Sequence, residues 1–283
     1  MSAEEGVCIE SRGERLIGIL HRPPAAARGA GPGVVVVVGG PQYRVGSHRQ
    51  FVLLARALAA RGCPVLRFDL AGMGDSGGEF AGFERSAGDI RAAIDALQQL
   101  ERSVRDVCLW GLCDGASAAL MYVPQDPRVS HLVLVNPWVR TSSGQAQAYL
   151  DAYYGRKLRS RGFWRRMASD PAAVLKAAGG FLSNIRKARR GSEPRAERNG
   201  DGAHFLDRML AGASDFEGRT LLLLSGRDLV ATEFELLLER STDWRAAFGP
   251  PRVVTRKLPE ATHTFARGAW RDWVAAATAE FLA

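Results

Sequence analysis

Gly111-Leu112-Cys113-Asp114-Gly115 is the segment whose residue types and spacing are best suited to chemistry. It follows an apolar run, Val107–Gly111, and precedes a small-residue stretch through Leu120 that reads as a helix. A glycine-x-nucleophile-x-glycine turn between strand and helix is too sharp for side chains on its flanks. The central residue is then held at strained angles with its side chain raised toward a pocket. At that place the helix N-terminus and nearby amides favour a thiolate. Residue type alone argues the other way, because free cysteines are usually buried and inert. Position makes Cys113 the expected nucleophile. Ser117, in Gly115-Ala116-Ser117-Ala118-Ala119, is a rival of similar local pattern, but the apolar strand ends at Gly111 and Ser117 would lie one helical turn past the elbow.

A thiol nucleophile needs a base and a group to orient that base. Asp228 stands at the end of the apolar run Thr220–Ser225, and His263 lies in Glu260-Ala261-Thr262-His263-Thr264-Phe265, after the last strand pattern. Each alone is weak: Asp228 could serve only to cap the following helix, and a loop histidine is commonly solvated. Nucleophile, acid and histidine in that chain order, each at a strand end, form a coherent set. Of the other histidines, only His48 is near a loop of interest.

The tetrahedral intermediate formed by attack on a carbonyl needs amide donors. One is expected from Asp114, directly after the nucleophile. The second is expected from Gly39-Gly40-Pro41-Gln42-Tyr43, the loop after Val34–Val38. Pro41 has no N–H, so Gln42 is favoured, through its backbone or its side chain. Gly39-Gly40 also reads as an ordinary strand-ending turn. Arg44 and Arg49 beside this loop could hold a carboxylate or phosphate or simply be exposed, and Tyr43 is a further substrate-contact candidate. The glycine-dense Asp69–Gly78 loop is expected to pack structurally, resembling a phosphate loop only superficially.

The elements that must position these residues alternate. Short extended pieces at Val7–Ser11 and Leu16–His21 suggest an opening hairpin. Val34–Val38, Pro64–Asp69, Val107–Gly111, His131–Asn136, Thr220–Ser225 and Val253–Leu258 are strand-like, several of them uninterrupted apolar runs typical of a sheet buried on both faces. Between them lie helical patterns, such as Phe51, Leu54, Ala55 and Leu58, or Trp270, Trp273, Val274, Ala277 and Phe281. The expected architecture is α/β: a mostly parallel central sheet with helices on both faces. Residues 1–137 and 217–283 would be the two parts of the core. Residues 138–216 break the rhythm and read as an inserted helical lid.

Composition locates the charge. The 283 residues carry a net +8, and residues 151–200 hold thirteen Lys/Arg against four acidic residues. The rest of the chain is therefore near neutral, which suggests a local anionic partner more than nucleic-acid binding. Within the insertion Tyr153 and Trp164 stand among arginines. This reads either as a lid covering an acyl or aromatic group with cations toward an anionic tail or membrane surface, or as an amphipathic helix with a solvated face. Four cysteines without CxxC spacing suggest free thiols, and the chemistry requires no metal or cofactor. Met1–Gly13 lacks an apolar secretory core and no apolar run approaches about 18 residues, so a cytoplasmic protein is expected.

With these motifs in place, the chain resembles the α/β-hydrolase superfamily over nearly its full length. Gly39-Gly40-Pro41-Gln42-Tyr43-Arg44-Val45-Gly46-Ser47-His48-Arg49, together with Gly111-Leu112-Cys113-Asp114-Gly115, resembles the bacterial group called exosortase A system-associated hydrolase 1. That resemblance implies a cytosolic enzyme linked to exopolysaccharide and protein-sorting loci. The Cys-Asp-His set is also similar to dienelactone hydrolases, which share a cysteine nucleophile but typically lack a long insertion here. Three functions remain open at this point. The first is a hydrolase acting on a small or carrier-bound ester or thioester; the second is an acyltransferase to an amine or alcohol. The third is a non-catalytic binding protein on a hydrolase fold.

Overall fold

The computed structural model describes residues 3–27, 31–40, 42–140 and 202–283, with the backbone alone for 202–204. Residues 1–140 and 205–283 form one compact unit. Its centre is an eight-stranded sheet in the order β1-β2-β4-β3-β5-β6-β7-β8. β1 (Ala3–Ser11) and β2 (Glu14–Arg22) make the expected hairpin. They turn through Arg12 and Gly13, both at positive φ (52° and 84°), the twist that a two-residue hairpin favours.

β2 also pairs antiparallel with β4 (Val65–Phe68). From β4 through β3 (Gly33–Val37), β5 (Val107–Leu112), β6 (Val129–Val135), β7 (Arg219–Ser225) and β8 (Val253–Leu258), every pairing is parallel. The reason is visible in β3, where all five residues are buried. Val34 and Val36 enter the apolar layer under α1 (Gln50–Ala59) and α7 (Gly268–Leu282), and Val35 and Val37 enter the layer under α2 (Ala87–Leu100) and α3 (Asp114–Tyr122). A strand apolar on both sides has no stable place except between two helical layers, each fully buried valine contributing about 1.5–3 kcal/mol.

The expected helical face of Phe51, Leu54, Ala55 and Leu58 is the one that α1 buries. α4 (Gly202–Asp215), which falls in the segment read as an insertion, contributes Phe205, Met209 and Ala213 to the core. Residues 141–201 of that segment, with Tyr153 and Trp164, lie outside the described residues. After β7 come α5 (Leu229–Arg240) and a short α6 (Thr242–Ala247) that the sequence pattern did not suggest. Among the described residues no helix is long and apolar enough to cross a membrane.

The parallel strands share one direction, so the turns after β5, β7 and β8 gather at the same edge of the sheet. That edge carries Cys113, Asp228 and His263.

Candidate active site

Cys113 follows β5 directly and is the residue before α3, with φ 61° and ψ −127°. Such a conformation costs of order 1–3 kcal/mol in a non-glycine residue and persists only where the surroundings enforce it. The surroundings here do. Its N–H donates to the Val135 carbonyl on β6 at 2.9 Å, and its own carbonyl accepts from Ala116 N–H at 3.0 Å and Trp138 N–H at 3.3 Å. Both flanking glycines are sterically required. A Cβ on Gly111 would stand 2.5 Å from Ala116 N, and one on Gly115 would stand 2.4 Å from the Val37 carbonyl oxygen. Cys113 is part-exposed, whereas Cys63 and Cys108 are buried in the sheet's α1 side and Cys8 is exposed on the opening hairpin. Burial pushes the Cys63 thiol up to about 11 and the Cys108 thiol well above the usual range, so neither supplies a thiolate near neutral pH.

Ser117 is fully buried, and its hydroxyl donates to the Trp138 carbonyl at 2.7 Å. It serves the packing of the elbow.

Asp228 combines the two roles that the sequence left as alternatives. One carboxylate caps α5, accepting from Val230 N–H and Ala231 N–H at 3.2 Å each, and its Oδ2 lies 2.8 Å from His263 Nδ1. With Nδ1 committed to Asp228, Nε2 is the ring nitrogen left for Cys113. Burial works against the imidazolium. The hydrogen bond to Asp228, and the interactions with Asp228 and Cys113 that favour the charged ring, outweigh it and raise His263 to about 10. The loops carrying the two residues are joined by Arg227 N–H to the Ala261 carbonyl at 2.9 Å and Gly226 N–H to the Leu258 carbonyl at 2.9 Å.

The Asp114 side chain takes part in a way that the sequence did not suggest. Its carboxylate accepts from Gly40 N–H at 2.7 Å and Gly115 N–H at 3.1 Å, drawing the loop after β3 onto the start of α3. Burial raises its pKa, opposed by these amides and its own. Gly39 makes the approach feasible, since a Cβ there would lie 2.0 Å from Asp114 Oδ1 and 2.3 Å from Gly115 N. Gly39-Gly40 is thus more than a strand-ending turn. In the same loop the Gln42 side-chain carbonyl accepts from Ser47 N–H at 3.2 Å, leaving the backbone amide for any oxyanion.

Asn136 was not singled out by residue type. It closes β6 at φ 46°, fully buried, and its Nδ2 donates to Ser225 Oγ at 2.9 Å and to the His263 carbonyl at 3.0 Å. Its Oδ1 accepts from Ser225 N–H at 2.9 Å. One side chain therefore ties the end of β7 to the histidine loop. The available signal was a polar residue ending an apolar strand just before Pro137.

Of the expected substrate contacts, Arg44 is engaged internally, its guanidinium ion-paired with Asp69 and with Asp75. Asp69 also accepts from the backbone N–H groups of Arg44 and Asp75, and a Cβ on Gly74 would lie 2.3 Å from its Oδ2. The glycine-dense loop thus wraps a buried carboxylate, in keeping with a structural role. Tyr43 and Arg49 are exposed, and Arg49 makes no ion pair among the described residues. No cluster of three or more metal-ligating side chains occurs among the described residues.

An eight-stranded, mostly parallel sheet with a strained elbow after β5, an acid after β7 and a histidine after β8 is the arrangement of the α/β-hydrolase fold. Residues 32–233 match the family Hydrolase_4, described as "Serine aminopeptidase, S33", and the chain belongs to that family. It carries Cys113 at the elbow. Similar solved structures include a putative hydrolase from Agrobacterium vitis S4, at 17% identity with TM-score 0.63, each chain covered in full. They also include the Pyrococcus furiosus esterase Pf2001, at 16% identity and TM-score 0.60, over 100% of this chain and 94% of that one. A third is Est1E from Butyrivibrio proteoclasticus, whose structure holds ferulic acid, at 15% identity and TM-score 0.62, over 97% of each chain. These likenesses show the fold. In sequence, the uncharacterized protein RP471 of Rickettsia prowazekii is 30% identical over 102 residues, which are 36% of this chain. The match spans 43% of that relative's length.

Proposed function

We propose that this α/β-hydrolase cleaves a carboxylic ester or thioester through a covalent acyl-cysteine on Cys113. The observation that carries the reading is the 2.8 Å contact of Asp228 Oδ2 with His263 Nδ1, on an imidazole whose charge is coupled to Cys113, itself held at φ 61°. The Cys113 Sγ attacks the carbonyl carbon, and the oxyanion is received by the backbone amides of Asp114 and Gln42. As the C–O or C–S bond breaks, His263 Nε2–H gives its proton to the leaving alcohol or thiol. Water then attacks the acyl-cysteine, His263 accepts the water proton, and the carboxylic acid leaves with the thiol restored.

The geometry suits this change of role. While Cys113 is a thiolate, it and Asp228 together hold the proton on His263. Acylation removes the Cys113 contributions, so the proton is held less tightly against burial and the neutral imidazole needed to activate water becomes easier to reach. Asp228 keeps the ring orientation throughout.

A small or carrier-bound acyl substrate fits the family resemblance, and the likeness of the Gly39–Arg49 segment to the exosortase-associated group supports a cytoplasmic role at exopolysaccharide and protein-sorting loci. Steady-state cleavage of 4-nitrophenyl acyl esters and of acyl thioesters tests the proposal. Turnover should be lost in both Cys113→Ala and His263→Ala, with the fold intact by circular dichroism. Turnover unchanged in Cys113→Ala contradicts it.

A further inference from the structure

A cleft of about 530 Å³ lies behind the loop after β3, lined by Glu4, Ile19, Tyr43, Arg44, Arg49 and Arg67 together with Gly6, Val45 and Val52. None of Cys113, Asp228 and His263 lines it. Arg67 is its unusual member. The side chain belongs to β4, which runs between the antiparallel β2 and the parallel β3, and the residue is 3% exposed.

A buried guanidinium is normally paired with a carboxylate, because an uncompensated charge in the interior is among the most destabilising features a fold can carry. Arg67 has no such partner: among the described residues no carboxylate oxygen lies within 4.0 Å of it. Its Nε–H donates to His21 Nε2 at 2.9 Å, and an Nη1–H donates to the Arg44 carbonyl. His21 is itself fully buried, and burial, with the Arg67 charge, lowers it to about 4, so it is a neutral acceptor. Three of the five guanidinium N–H groups remain after these two bonds.

The neighbouring charges do not cancel Arg67. Glu4 is taken by Arg56, whose Nε lies 2.5 Å from its Oε1, and Asp69 is taken by Arg44. Arg49 adds a second cation without an ion pair among the described residues. The lining therefore offers two guanidinium groups, Arg67 on the floor and Arg49 at the rim, beside the phenol of Tyr43 and an apolar wall of Ile19, Val45 and Val52.

We propose that this cleft is a binding site for a small organic oxyanion, a phosphate monoester or a carboxylate, whose head group pairs with Arg67 and Arg49 while its apolar body rests on Ile19, Val45 and Val52. A planar guanidinium meets either head group with two parallel hydrogen bonds. The cleft is several times larger than a bare phosphate, so an organic body is needed to fill it. The site is separate from the catalytic trio, and it touches Tyr43, Arg44 and Val45 on the loop that would carry the oxyanion donor. A ligand there is positioned to steady that loop.

Calorimetric titration with phenyl phosphate, benzoate and uncharged phenol, at constant ionic strength in chloride, tests the site and separates the two head groups. At least one of the anions should bind at least tenfold more tightly than phenol. That preference should fall roughly tenfold or more in Arg67→Met, by a few-fold in Arg49→Ala, and stay unchanged in Cys113→Ala, as charge-assisted hydrogen bonds of this kind imply. Arg49 is exposed, so Arg49→Ala decides the matter even if Arg67→Met fails to fold. Anions that bind no better than phenol, or a preference that survives these arginine substitutions, overturn the proposal.

Discussion

Asp228 and His263 lie 35 positions apart in the chain and meet at 2.8 Å, Oδ2 to Nδ1, while the same carboxylate caps α5 through Val230 and Ala231. One side chain thus orders both a helix start and the imidazole proposed as the base, and substitution can separate the two. Asp228→Asn keeps an acceptor for the cap and loses the carboxylate that fixes the histidine tautomer. Its melting temperature should stay close to wild type while turnover falls by about three to four orders of magnitude, as for related triads. Asp228→Ala should in addition lose about 0.5–2 kcal/mol of stability. Equal turnover in Asp228→Asn and wild type would place Asp228 in the cap alone.

The pH behaviour of His263 follows from its neighbours. Its folded pKa, about 10, lies above its unfolded value near 6.5. The proton is therefore held more tightly in the folded state. The associated stabilisation is fully present below about pH 6.5 and is lost as pH rises toward 10. Urea denaturation of wild type and His263→Gln should show wild type losing its advantage across that window. By NMR, the imidazole of Cys113→Ala should release its proton at lower pH than that of wild type. A His263 titration identical in both proteins would disconnect the ring from the thiol.

Asn136 is buried and bonded on both sides of its amide, to Ser225 and to the His263 carbonyl. Asn136→Ala leaves those groups without partners and should cost about 1–3 kcal/mol. Because the histidine loop is released, turnover at saturating substrate should fall more than KM rises. A stability loss with unchanged turnover would make Asn136 purely structural.

Thiol reactivity should separate the four cysteines. With limiting iodoacetamide at pH 7, Cys113 should be labelled ahead of Cys8, while Cys63 and Cys108, buried and with raised pKa values, stay unlabelled in the folded protein. Peptide mapping reads the order. Labelling of Cys113 no faster than Cys8 would support a fold that has lost its chemistry.

Much of this arrangement was legible in the residues because it rests on rules that act locally. The apolar runs at Val34–Val38 and Thr220–Ser225 predict buried and parallel strands, and a glycine on either side of Cys113 predicts a turn that a Cβ would block. The chain order of Cys113, Asp228 and His263 follows from strands that share one direction. What stayed hidden depends on partners far apart in sequence. Asn136 gains its role only when β6 and β7 lie side by side, 89 positions from Ser225. The Asp114 carboxylate reaches Gly40 across 74 positions. Arg44 reads as a free cation until Asp69 and Asp75 fold around it.

The same contacts bear on the fate of the acyl group. With water as acceptor, the product of a 4-nitrophenyl butyrate reaction should be butyrate even when millimolar amounts of a primary amine are present. The N-substituted butyramide of that amine as the main product would make the protein an acyltransferase.

The central claim is that Cys113 carries the acyl group. Intact-protein mass spectrometry, after brief acid quenching of reactions with a panel of acyl esters and acyl thioesters, reads it most directly. Wild type should gain the mass of one acyl group with at least one substrate, the increment mapping to Cys113 and vanishing in Cys113→Ala. An increment that persists in Cys113→Ala, or turnover of a substrate with no increment in either wild type or the slower-deacylating His263→Ala, would contradict it.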